Sequence, residues 1–114
     1  MVPSSGFIEL LDVAGTAVLA KTGPLHVTAV RAFQTGLAAD AFVQLFDAAS
    51  ASDVTVGTTK PAWVVMTIFA AGPVSGGDGL PTHGLLFRAG LVVASTTTPT
   101  GNTAATQQVR ITYL

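Results

Sequence analysis

Residues 25–34 read LHVTAVRAFQ, and their pattern decides the fold class. Leu25, Val27, Ala29, Arg31 and Phe33 fall on one side of an extended chain, with His26, Thr28, Val30, Ala32 and Gln34 on the other. Successive side chains of a strand point to opposite faces, so alternation at period two predicts a half-buried β-strand. Further runs of this kind lie on both sides of it: FIELLD (7–12), TAVLAK (16–21), AFVQLFD (41–47), DVTVG (53–57), GLLFR (84–88), LVVAST (91–96) and TQQVRITYL (106–114). Gly, Pro, Asp and Ser punctuate the gaps, among them Thr22-Gly23-Pro24, Asp47 to Ser52 and Pro99-Thr100-Gly101-Asn102. Short strands separated by frequent turn signals predict an all-β protein, a jelly-roll-like antiparallel β-sandwich of about seven to eight strands. The expected core includes Val27, Phe33, Val43, Leu45, Val65, Ile68, Phe87, Val92, Val109 and Ile111.

Two segments need arbitration. TGLAADAFVQLFDAASA (35–51) has helix-forming residues, but Phe42, Gln44 and Phe46 alternate with Val43 and Leu45, which favours a strand. A helical turn near residues 38–41 is the alternative. The longest apolar stretch, PAWVVMTIFAAGPV (61–74), falls short of the roughly 20 residues a membrane helix needs. Its β-branched and aromatic residues predict a strand buried on both faces, the central one of the fold.

Composition constrains function. Of the 114 residues 10% are charged and 49% apolar, with a net charge of −1, whereas an ordinary soluble domain is about 25% charged. Mean hydropathy is +0.60 and the isoelectric point about 6.0. So little charge leaves weak repulsion between molecules, and uncovered apolar or Thr-rich surface finds a partner. We therefore expect a homo-oligomer, a trimer first, or coverage within a larger assembly. The length suits one domain, 7–114, preceded by an extended arm at 1–6. Pro3, Ser4, Ser5 and Gly6 favour neither helix nor central strand, and the opening MVPSSGFIELLDVAG lacks the positive region and apolar run of a secretory signal. There is no Cys, so disulfides and thiolate metal sites are excluded. Lys21, Arg31, Lys60, Arg88 and Arg110 are scattered and form no basic stripe for nucleic acid; no membrane or nucleic-acid partner is expected.

Residues that carry chemistry are sparse. The two histidines are His26, within the alternating strand, and His83, five positions after Asp78 in a Gly-rich loop. That spacing matches no metal-ligand pattern. Glu9, Asp12, Asp40, Asp47, Asp53 and Asp78 are well separated and sit at strand ends or turns, where carboxylates cap backbone N–H groups. GPVSGGDG (72–79) lacks the Lys-Ser/Thr ending of a phosphate loop. Trp63 and Tyr113, the single Trp and Tyr, lie in apolar strands, where packing is their commoner fate than sugar stacking. No enzyme, cofactor or metal is expected. Of two loops, 70–84 reads as functional or packed on a neighbour, and the almost wholly Thr, Ala and turn-forming STTTPTGNTAAT (95–106) as extended, with mobile surface the alternative for each. The second also fits a protruding hairpin tip.

The strings FVQLFDAASASDVTVGTTKPAW, GLLFRAGLVVASTTTPTGN and VRITYL, taken in order over residues 25–114, resemble a recurring type of small β-sandwich protein from tailed-bacteriophage particles. In that type a strand ending in Leu-Phe-Asp or Leu-Tyr-Asp leads to a V-x-x-G-T-T-x-P turn, matched here at 43–47 and 54–61. A G-[LI]-x-F-x-x-G-[LI]-x-[VA]-A strand pair and a Thr-Gly-Asn loop follow, matched at 84–94 and 98–103. The resemblance implies a virion component made in the host cytoplasm, either a capsid decoration (cement) protein or a tail or baseplate accessory; a host glycan-binding module is a further alternative. Its implied partners are copies of itself, as a homotrimer, and major capsid or tail proteins. The expected assembly contacts are Val2, Pro3, Ser4 and Ser5 of the arm and Thr97, Thr98 and Pro99 of the Thr-rich loop.

Overall fold

The computed structural model describes residues 6–34, 40–67, 76–77, 80–81 and 83–114. Val2, Pro3, Ser4, Ser5, Ile68, Asp78 and most of the loop 70–84 lie outside them, as do residues 38 and 39 of the alternative helical turn. The strands are β1 (Gly6–Val13), β2 (Val18–Thr22), β3 (Leu25–Gln34), β4 (Ala41–Asp47), β5 (Trp63–Thr67), β6 (Gly76–Gly77), β7 (Leu85–Phe87), β8 (Gly90–Thr96) and β9 (Gln107–Tyr113).

They form two antiparallel sheets. One runs β1-β9-β3, with β6 and β7 both on the far side of β3; the other runs β2-β8-β4-β5. β7 pairs with Leu25 to Val27 and β6 with Ala32 and Phe33, so the two lie end to end along one edge and count as one interrupted strand. The result is a β-sandwich of eight strands in jelly-roll order, with successive strands mostly changing sheet.

The core is the set of inward side chains. Leu25, Val27, Val30 and Ala32 of β3 meet Val43 and Leu45 of β4, Val65 of β5, Leu91 and Val93 of β8, and Val109 and Ile111 of β9, with Val13 and Phe87 closing the ends. Most of the expected core is found there. Val92 is buried too, but in a second cluster on the outer side of its sheet, with Phe46, Ala48, Val54 and Ala94. The side chain of Phe33 lies outside the described residues.

Three expectations are corrected. Period two breaks within β3: its pairing with β9 shifts between Val27 and Ala29, and this bulge turns Val30 and Ala32 inward while Ala29 and Arg31 join the outer face. A single extra residue flips every later side chain. DVTVG is not a strand. A 3₁₀ turn spans Ala51–Asp53, and Thr55 O then accepts from the N–H groups of Thr58, at 2.9 Å, and Thr59, at 2.8 Å. Val54 and Val56 alternate because they cover the outer cluster around Phe46, not because they pair in a ladder. Finally, the apolar segment 61–74 supplies not the central strand but β5, at the end of its sheet, and Met66 is 43% exposed. The strand buried on both faces is β8, all seven of whose residues are buried.

Two tight turns depend on glycine for different reasons. Gly23 has φ +81° and open space, with nothing within 4 Å of where a Cβ would sit. Gly84 has φ +73°, and a Cβ there would overlap Val27 O and lie 2.8 Å from His26 Nε2. Gly23→Ala should therefore cost about 1–2 kcal/mol, the left-handed backbone penalty alone. Gly84→Ala should cost roughly 3 kcal/mol or more, because the β3 backbone must also move. Urea denaturation of the two variants checks the order.

Candidate assembly surface

The Thr-rich segment leaves β8 and folds back on itself before entering β9 in the other sheet. Thr96 bridges to Ala104, Thr97 N–H donates to Thr103 O at 2.9 Å, and Ala105 N–H donates to Ser95 O at 3.2 Å. The tip, Thr97, Thr98, Pro99 and Thr100, is exposed. The segment is thus a hairpin laid back on its sheet, and of the seven expected contact residues Thr97, Thr98 and Pro99 lie together at its exposed tip.

What holds the tip is not apparent from the sequence alone. β4 turns Val43 and Leu45 inward, so Gln44 points to the outer side of its sheet, where it is fully buried beneath the loop. Its Nε2 donates to Thr96 Oγ1 at 2.7 Å and to Gly101 O at 3.0 Å, and Thr96 Oγ1 donates to Thr98 O at 2.7 Å. A second buried chain lies between the sheets: Gln107 Nε2 donates to Ser95 Oγ at 2.7 Å, and Ser95 Oγ donates to Ala105 O. Both amide oxygens, Gln44 Oε1 and Gln107 Oε1, are buried without a partner among the described residues. The one available signal is a lone Gln in the apolar run AFVQLFD.

His26 and Asp47 serve the backbone, and Glu9 and Arg110 serve one another. His26 Nε2 donates to His83 O at 2.6 Å, linking β3 to the loop before β7. Arg110 pairs with Glu9 through Nε, at 2.9 Å, and Nη2, in a cross-strand row that continues to Arg31; an exposed pair of this kind contributes at most about 1 kcal/mol. Asp47 caps the β7–β8 turn. Its carboxylate accepts from Ala89 N–H at 2.8 Å and from Arg88 N–H at 3.2 Å. Partial burial opposes its ionisation, but the N–H groups of Ala89, Arg88 and Gly90 and the Arg88 charge outweigh burial and hold the carboxyl below its ordinary pKa. Among the described residues no group of three or more His, Cys, Asp or Glu could hold a metal ion.

Two open hollows mark the surface. One, about 470 Å³, lies where Gly15 and Thr16, Val54 and Val56, and Asn102 and Ala104 of the Thr-rich loop converge, and no titratable side chain lines it. The other, about 390 Å³, is mainly apolar and is lined by Pro24, Leu86, Phe87 and Leu114 with His26 and Arg88. Leu86 is 77% exposed beside it. Of the single Trp and Tyr, Trp63 is partly buried and packs against the core, and Lys21 Nζ sits 5.1 Å from the Tyr113 ring centroid.

No family model matches the chain. No curated protein and no solved structure matches it either.

Two outcomes are expected. Gln44→Leu should lower stability by about 1–2 kcal/mol, since it strips the donor from buried acceptors while also removing an orphaned carbonyl, and amide exchange at Thr97 and Ala105 should quicken. For Asp47 the sign follows from its depressed folded-state pKa. The stabilisation is complete above the unfolded carboxyl's pKa and disappears as pH falls through the folded value. The melting temperatures of wild type and Asp47→Asn should thus differ at neutral pH and converge in acid below that window.

Proposed function

We propose that this chain is a structural virion protein of a tailed phage, a capsid decoration (cement) protein that adds contact area between capsid subunits and performs no catalysis. The observation that carries the reading is the jelly-roll sheet order in a chain only 10% charged. Jelly rolls build viral capsid domains, but they also serve lectins and cupins, so the fold alone does not choose among them. Stacking a sugar ring needs an open aromatic face, and Trp63 and Tyr113 are both engaged, one with the core and one with Lys21. A surface with few charges and an exposed but internally braced tip at 97–100 suits burial against a protein neighbour. The resemblance of residues 25–114 to phage particle proteins points the same way.

In this role the protein acts by linkage. A subunit that binds the assembled shell and not its dissociated parts stabilises the shell by RT ln(1 + [L]/Kd), about 2.7 kcal/mol per site at 100 times Kd. The partners are copies of the chain itself and major capsid protein.

Particles carrying the protein should disrupt at a higher temperature, and survive stronger osmotic shock, than particles stripped of it. Thr98→Glu, which sets a charge on the tip, should weaken attachment without unfolding the domain. Equal disruption temperatures, with the protein found by imaging on the tail or a fibre, would replace the cement reading with the tail or host-binding alternative.

A further inference from the structure

Among the described residues the two most exposed large apolar side chains, Leu86 at 77% and Leu114 at 51%, border the same hollow. They belong to one row across the sheet. Leu114 exchanges both backbone hydrogen bonds with His26, at 2.8 and 3.3 Å, and His26 pairs with Leu86. The hollow, about 390 Å³, opens beside this row, with Pro24, Leu25 and Phe87 completing its apolar lining. Of its polar side chains, His26 is already bonded to His83 O, and Arg88 is exposed. Exposed apolar side chains gathered around a concavity mark a docking site.

The direction of β1 names the occupant. β1 and β9 are antiparallel, with Gly6 opposite Tyr113, so the chain leading into Gly6 enters the sheet at the end where Leu114 leaves it. β9 ends at Tyr113, and the residues before Gly6 therefore run past the strand that holds β1. They read Met1-Val2-Pro3-Ser4-Ser5, with the apolar three farthest from the sheet and no charged side chain among the five. Pro3 lacks the N–H that would extend a ladder. The hollow draws its lining from the ends of β9, β3 and β7, which lie one, two and three strands from β1, about 5–14 Å across the sheet. Val2 stands four residues before Gly6, a reach of about 13 Å when extended.

We infer that this segment crosses Leu114 and seats Val2 and Pro3 in the hollow of its own chain, against Leu86. A short tether holds the segment at its own hollow at an effective concentration on the order of millimolar, so the segment of a second copy does not compete at micromolar protein. The inference concerns the separate subunit and does not rest on the virion reading.

The chain has no Cys, so an introduced pair reports the contact without background. Val2→Cys/Leu86→Cys, oxidised at micromolar concentration, should close a bridge within one chain, about tenfold or more faster than the control pair Val2→Cys/Met66→Cys. Met66 is also exposed, at 43%, but lies in the other sheet. In the wild type, nuclear Overhauser contacts should join the methyl groups of Val2 and Leu86. Bridging no faster than in the control, bridges formed mainly between chains, which would make a second copy the occupant, or a wild type without Val2–Leu86 contacts would each overturn the inference. The wild-type spectrum needs no variant, so a cysteine pair that failed to fold would still leave the question decided.

Discussion

Two-sided burial of β8 is the constraint on which the remaining structure depends. Its inward residues Leu91 and Val93 fill the space between the sheets, and its outward residues Val92 and Ala94 need cover of their own. A strand in a two-layer sandwich ordinarily has one wet face. Here residues 48–56 are laid over the outer side around Phe46, and the Thr-rich segment is laid over Gln44 and Thr96. These two segments, 48–56 and the Thr-rich one, are thus a third, partial layer.

Polar side chains fix that layer in place. Apolar contact alone would let the Thr-rich loop slide, since methyl groups pack in many registers. The Gln44 amide bonded to Thr96 and Gly101 permits one register, and a buried donor has a strong preference for it because an unmade bond there costs about 1–3 kcal/mol. Ser95 and Gln107 do the same on the inner side, where the chain crosses from β8 to β9. Each amide keeps one buried oxygen without a partner among the described residues, so the register comes at some cost in stability.

Much of the fold is legible in the sequence because β3 and β4 are long, alternating and bounded by turn residues; their ends fall at Leu25–Gln34 and Ala41–Asp47, where the alternation predicts them. The β3 bulge is not legible, since Thr28 and Ala29 carry no bulge signature and the shift is imposed by pairing with β9. Residues 53–57 mislead for a different reason. Val54 and Val56 show a strand's alternation because they too have one face on apolar cover, and local sequence does not reveal whether a ladder partner is within reach. The rank of β5 escapes the sequence because apolar content reports burial, while a place at the sheet end follows from topology. Of the candidate surface, the Thr-rich tip is readable from composition; the buried Gln beneath it becomes meaningful only once β4 has a defined outer face.

The pairing of Gly6 with Tyr113 and of Val13 with Gln107 has a consequence for biosynthesis. β9 lies between β1 and β3, so β1 and β3 have no ladder between them until β9, far along the chain, has been made. Non-local order of this kind folds on a timescale of milliseconds to seconds. During translation the nascent chain therefore carries unpaired apolar strands with few charges to keep them apart. Production of this protein in quantity places its demand on the cell's chaperones at that stage.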